Sequence, residues 1–120
     1  KDGNAVLRTN IVGSGGLVRW AIDQLIKGRK INGFSNSWFN PIHAKQASAQ
    51  IKSIIVENKS GLIEAFGNTA VTKYDFIKQI ADKNNLNKEL VIKTSLDKEQ
   101  DLVWNLEHSC LSYDKCMELI

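Results

Sequence analysis

The chain has 120 residues, 42% hydrophobic and 24% charged, with a net charge of +3, values that fit one globular domain with a single core. Its lysines alternate with Asp and Glu, and no run of five basic residues occurs, which argues against a nucleic-acid-binding arm. No apolar stretch reaches membrane-spanning length, and Cys110 and Cys116 are too few for a secreted disulfide framework, so reduced thiols in a cytoplasmic protein are expected.

Val6–Val12 is rich in β-branched and apolar residues and reads as a buried strand. Gly13–Gly16 is a turn. Leu17–Lys27 reads as a helix, because Val18, Ala21, Ile22 and Leu25 recur at helical spacing, and Gly28 ends it. Ile31–Phe34 is a short strand, and Asn36–Pro41 a loop holding the only proline. Ala44–Asn58 is a second helix with Ala47, Ile51, Ile54 and Ile55 on one face. Leu62–Phe66 alternates as a strand does. Thr72 is the N-cap of the next helix, with Asp75 at N3 and a hydrophobic staple between Val71 and Phe76. That helix runs to Lys83, where Asn84 and Asn85 suit a left-handed cap. Leu90–Thr94 is a strand, and Ser112 caps a last helix, Tyr113–Leu119. Asp97–Glu107 reads as a buried turn or short helix around Leu102, Val103 and Trp104. Strands alternating with helices indicate an α/β domain.

Several motifs suggest chemistry. Gly13–Val18 follows a strand and opens a helix, close to the dinucleotide fingerprint. Val18 stands where that fingerprint needs its third glycine, and no acidic residue ends the next strand, so an ordinary turn is the better reading. Tyr74 and Lys78 form a YxxxK pair, in which an ammonium beside a phenol favours proton transfer. The cap and staple account for the same helix without catalysis. His43, His108, Cys110 and Cys116 match no zinc spacing. Trp20 is expected in the core, whereas Trp38 and Phe39, beside Pro41, are open to a ligand.

Three blocks carry a family resemblance: Val6–Asn10 (VLRTN), Trp38–His43 (WFNPIH) and Gly61–Ala81 (GLIEAFGNTAVTKYDFIKQIA). In this order they resemble the C-terminal, substrate-binding part of extended short-chain dehydrogenase/reductases. The branch is that of nucleotide-sugar reductases and epimerases similar to dTDP-4-dehydrorhamnose reductase. The most specific pieces are Leu7–Asn10, Phe39–His43, and Gly61–Asn68 with Val71–Phe76. The resemblance spans Val6 to about Leu119.

The resemblance implies an α/β fold: the C-terminal strands of a Rossmann-type sheet plus a small mixed α/β substrate-binding lobe, residues 1–120 forming one unit. Val6–Asn10 and Leu62–Phe66 would be the sheet strands. Gly13–Phe34 and Asn87–Ile120 would build the lobe that closes over a nucleotide-sugar. Arg8, Asn10, Trp38, Phe39, Asn40 and His43 would line the cleft, with Arg8 equally suited to a structural ion pair. The catalytic YxxxK helix of the family precedes the VLRTN strand, so no catalytic residue, metal or cofactor is assigned to this chain. NAD or NADP would be held by an N-terminal half outside it. Another chain completing the sheet, or a second copy, is the expected partner.

Two departures stand out. The family's Arg-Pro pair, whose guanidinium suits diphosphate, is replaced in the stretch Asn105–Leu106–Glu107–His108. The Asp that follows the proline loop is Gln46. These departures keep a second reading open, a non-catalytic module that recognises a sugar, a nucleotide or a protein.

Overall fold

A computed structural model describes residues 4–13, 15–96 and 111–120. In chain order they form β1 (Ala5–Val12), α1 (Gly16–Ile26), β2 (Ile31–Phe34), β3 (Trp38–Phe39), β4 (Pro41–His43), α2 (Ala44–Val56), β5 (Gly61–Ala65), β6 (Val71–Thr72), α3 (Lys73–Lys83), β7 (Val91–Thr94) and α4 (Tyr113–Leu119). These elements gather into two units. The first contains β1, β4, β5, α2 and α4; the second contains α1, α3, β2, β3, β6 and β7. The expected turn around Leu102–Trp104 and the stretch Asn105–His108 lie outside the described residues.

The first unit is a parallel sheet in the order β4-β1-β5. Residues Ala5–Thr9 of β1 pair with Gly61–Ala65, and Asn10–Val12 pair with Pro41–His43. Parallel strands of one sheet need a crossover, and α2 supplies the one from β4 over β1 to β5. Pro41 opens β4, a position where its missing N–H breaks no ladder. Ile42, Ala47 and Ala65 form the core with Leu7 and Leu111 packed on them. With Leu7 turned to that core, side-chain alternation places Val6 and Arg8 on the opposite face. Val6 is 57% exposed, and its register partner Leu62 is 58% exposed. The expected buried strand is therefore corrected: among the described residues, the sheet is packed on its Leu7 side only. The predicted apolar face of α2 is corrected too. Ala47 is buried, but Ile51 and Ile55 are exposed, because only the first turns of α2 reach the core cluster.

The last helix was expected in the small lobe. It belongs instead to the first unit, where it packs against β4. Asn68 fixes its start: its N–H donates to the Leu111 carbonyl at 2.9 Å, and its Oδ1 accepts from the Tyr113 N–H at 3.0 Å. Gln46 Nε2 donates to the Ser112 carbonyl at 3.1 Å. Ser112 caps the helix as predicted, accepting from the Lys115 N–H at 3.2 Å.

The second unit combines a parallel pair, β2 with β7, and an antiparallel pair, β3 with β6. Ala21 and Leu25 of α1 meet Ile77 and Ala81 of α3 over Ile31 and Val91. A Cβ on Gly33 would lie 2.9 Å from Tyr74 Cα, so glycine is what lets α3 lie this close to β2. The predicted start of α3 holds: Thr72 Oγ1 accepts from the Asp75 N–H at 3.0 Å, and Val71 and Phe76 are both buried. Asn85 takes the left-handed φ of 56° just past its end. The predicted loop Asn36–Pro41 is partly ordered as strand, because Trp38 and Phe39 pair with Thr72 and Val71.

The architecture is α/β, with Rossmann-type parallel strands in one unit and a small mixed α/β lobe in the other. Among the described residues, no helix is long and apolar enough to cross a membrane.

Candidate functional site

In the first unit, β1 and β4 bring Asn10 and Asn40 together. Asn10 Oδ1 accepts the Asn40 N–H at 3.0 Å. Asn40 Nδ2 donates to the Gly67 carbonyl at 3.1 Å, and the Gly67 N–H donates back to the Asn40 carbonyl at 3.1 Å. Asn40 is fully buried, so these bonds satisfy polar groups that water does not reach. A Cβ on Gly67 would lie 2.4 Å from the Pro41 carbonyl oxygen. The three residues thus form a close-packed polar knot at the C-terminal ends of the strands.

His43 and Arg8 have partners of their own. His43 is the N-cap of α2: its Nδ1 accepts the Lys45 N–H at 3.0 Å, and its N–H donates to Gln46 Oε1 at 2.8 Å. Gln46, which departs from the family pattern, completes a reciprocal cap. Histidine is not among the usual capping residues, so the readable half of this cap is Gln46 at N3. Arg8 lies 3.6 Å from Glu64, its register partner on β5. Both side chains are roughly half exposed, and such a pair contributes at most about 1 kcal/mol.

In the second unit, two clefts open beside α3. One, of about 480 Å³, is lined by Leu17, Trp20, Asn32, Phe34, Ser37, Lys73, Ile77 and Leu96. Trp20, expected in the core, is 46% exposed and lines this cleft instead, because it lies off the stripe of Val18, Ala21 and Leu25 that faces inward. Lys73 Nζ donates to Ser37 Oγ at 3.3 Å and sits 4.6 Å over the Phe39 ring. Phe39 is buried edge-on against Phe76, with ring centroids 5.2 Å apart, so it holds the cation from beneath. The other cleft, about 280 Å³, has Trp38 on its wall with Asp75, Lys78, Asp82 and Lys88. Tyr74 and Lys78 meet as their spacing implies, Nζ donating to the phenol oxygen at 3.2 Å. Among the described residues, no group of three or more His, Cys, Asp or Glu side chains suits a metal.

Sequence reasoning assigns Trp20 to the core and does not single out Ser37 or Lys73. Lys73 carried a readable signal: it is the first residue of α3, where the helix dipole disfavours a cation.

No family model matches the chain, and no curated protein does. Solved structures do. A dTDP-4-dehydrorhamnose reductase from Bacillus anthracis, in complex with NADP, superposes with a TM-score of 0.71 at 18% identity, over 78% of this chain and 34% of that one. The chain has the fold of the C-terminal part of these reductases. A dTDP-glucose 4,6-dehydratase from the same organism, in complex with NAD, matches with a TM-score of 0.74 at 14% identity, over 95% of this chain and 42% of that one. A UDP-glucose 4-epimerase from Thermotoga maritima, with UDP-glucose, gives 0.66 at 12% identity, over 96% and 43%. The chain thus spans between a third and a half of the length of the structures it matches. The neighbours are nucleotide-sugar enzymes, the reductase solved with NADP and the dehydratase with NAD.

Proposed function

We propose that this chain is the substrate-binding portion of an NAD(P)-dependent reductase or epimerase acting on a nucleotide-linked sugar. The observation that carries the reading is the cleft of the second unit. It offers aromatic and aliphatic walls at Trp20, Phe34 and Leu17, neutral hydrogen-bonding groups at Asn32 and Ser37, and one cation at Lys73. That combination suits a flat base, a sugar and a phosphate. The shared fold with a reductase, a dehydratase and an epimerase supports the same class.

In this reading Asn10 and Asn40 hold the backbone at the strand ends, where ligands of open α/β sheets bind. Arg8 and His43 shape the same first unit, and Trp38 and Phe39 belong to the second unit, which holds the cleft. A nicotinamide cofactor supplies hydride in chemistry of this class, and its binding is assigned to residues outside this chain. The chain's own contribution is binding energy and orientation of the sugar.

Saturation-transfer NMR on the 120-residue chain tests the reading with dTDP-glucose, UDP-glucose and NADH in turn. The base protons of a nucleotide-sugar should receive saturation, and those of NADH should not. A chain with dispersed amide resonances that transfers nothing to either nucleotide-sugar at millimolar concentration would overturn it.

A further inference from the structure

We infer that Lys73 is the residue that sets the cleft's preference for a diphosphate, its ammonium binding the phosphate oxygens of a nucleoside diphosphate. The inference deepens the proposed function and rests on it. Lys73 is the only charged side chain lining the 480 Å³ cleft among the described residues. Its contacts there are with neutral groups, the Ser37 hydroxyl at 3.3 Å and the Phe39 ring at 4.6 Å. No carboxylate among the described residues lies within ion-pair distance of it, although Arg8, Arg19, Lys59, Lys88 and Lys115 each have one.

A half-buried cation at the first residue of an 11-residue helix is in an unfavourable place. It faces the positive end of the dipole and has lost part of its hydration. An anion in the cleft relieves both. An ammonium has three donors, and one is engaged by Ser37, which leaves the others for phosphate oxygens. Ser37 and the ring of Phe39 fix the nitrogen's position, so little side-chain freedom remains to be lost on binding. Leu17, in the first turn of α1, borders the same cleft. That helix begins with no side-chain cap and no acidic residue in its first turn, so its positive end, unlike that of α3 with Thr72 and Asp75, is uncompensated nearby. The sequence has Asn105–His108 in the stretch matching the family's Arg-Pro pair, and Lys73 provides a phosphate-binding charge from a different element.

Thymidine, dTDP and inorganic pyrophosphate, titrated into the wild-type chain and into Lys73→Met, Lys73→Gln and Lys73→Arg, separate the contributions. Amide spectra identify the variants that fold. Wild type should bind dTDP roughly tenfold more tightly than thymidine. The ratio should fall close to one in Lys73→Met and Lys73→Gln and survive in Lys73→Arg. Added salt should weaken dTDP binding to wild type more than to the neutral variants. A dTDP-to-thymidine ratio unchanged in the neutral variants overturns the role of Lys73 and leaves the nucleotide reading standing. Binding of pyrophosphate alone, lost in the neutral variants, upholds an anion site at Lys73 and overturns the nucleotide reading. A folded wild-type chain that binds none of the three overturns both.

Discussion

Gly67→Ala is the sharpest probe of the polar knot. The new Cβ would sit 2.4 Å from the Pro41 carbonyl oxygen and 3.3 Å from its carbon. Both are backbone atoms, so no side chain can rotate away. Restoring an ordinary contact requires the strand ends to separate by about 1 Å. Two hydrogen bonds of 3.1 Å join Gly67 to Asn40, and a separation of that size breaks both. Each contributes about 1 kcal/mol, and a buried amide left without a partner adds about 1–3 kcal/mol. The expected loss is about 3–5 kcal/mol, a large part of the total stability of a small domain. Urea denaturation measures it directly. Gly13→Ala is the control, because its Cβ would meet only Ala44 Cβ at 3.9 Å, and it should lie within about 0.5 kcal/mol of wild type. Equal midpoints for the two variants would refute the close approach at Gly67 and, with it, the fixed position of Asn40.

Other outcomes follow from single contacts. Thr72→Ala removes the acceptor of the Asp75 N–H and should cost about 1 kcal/mol in denaturant melts; no change would mean that α3 does not start there. Tyr74→Phe removes the partner of Lys78 and should change stability by about 1 kcal/mol or less. Loss of activity in a folded, longer enzyme carrying this change would instead assign the pair a chemical role. The Glu57 carboxyl is held below its ordinary value, chiefly by the Ser53 hydroxyl at 2.7 Å and then by Lys59. Because its folded value is depressed, its support for the end of α2 is present at neutral pH and lost as pH falls through that folded value. Ser53→Ala should raise the carboxyl's titration midpoint in NMR, and an unmoved midpoint would rule out the hydroxyl as the cause. Val6 and Leu62, paired and exposed, should drive self-association. Sedimentation should show a coefficient rising with concentration in wild type and less so in Val6→Lys; a single monomeric species at all concentrations would contradict this.

The features legible in the sequence were local ones. Thr72 with Asp75, Ser112 with Lys115, and the asparagines after Lys83 involve residues within one turn of each other, and their chemistry reads directly off the chain. The features that were not legible join distant residues. Asn68 and Tyr113 are 45 positions apart, and Gln46 and Ser112 are 66 apart; those bonds draw α4 to the first unit, against expectation. Periodicity places Val18, Ala21 and Leu25 inward, but it does not say how far the packed surface extends. That limit is why Trp20 and Ile55 were assigned to buried faces they do not occupy. The fold class was legible through the order of VLRTN, WFNPIH and GLIEAF, since strand ends and their loops are tightly constrained where backbone meets backbone at Asn40 and Gly67.

The candidate residues divide by the work their polar groups already do. The Asn10 Oδ1 accepts the Asn40 N–H, the imidazole of His43 caps α2, and the guanidinium of Arg8 faces Glu64. Each of these gives the first unit its shape, and replacing one should change stability along with any effect on binding. Lys73 differs in kind. Its hydroxyl and ring contacts orient the charge without neutralising it. A charge that is positioned, partly desolvated and faced by no carboxylate among the described residues should contribute little to folding and much to an anionic ligand. Lys73→Met should therefore leave the urea midpoint within about 1 kcal/mol of wild type while removing the diphosphate preference. A large loss of stability together with an intact preference would assign Lys73 to the fold instead of the ligand.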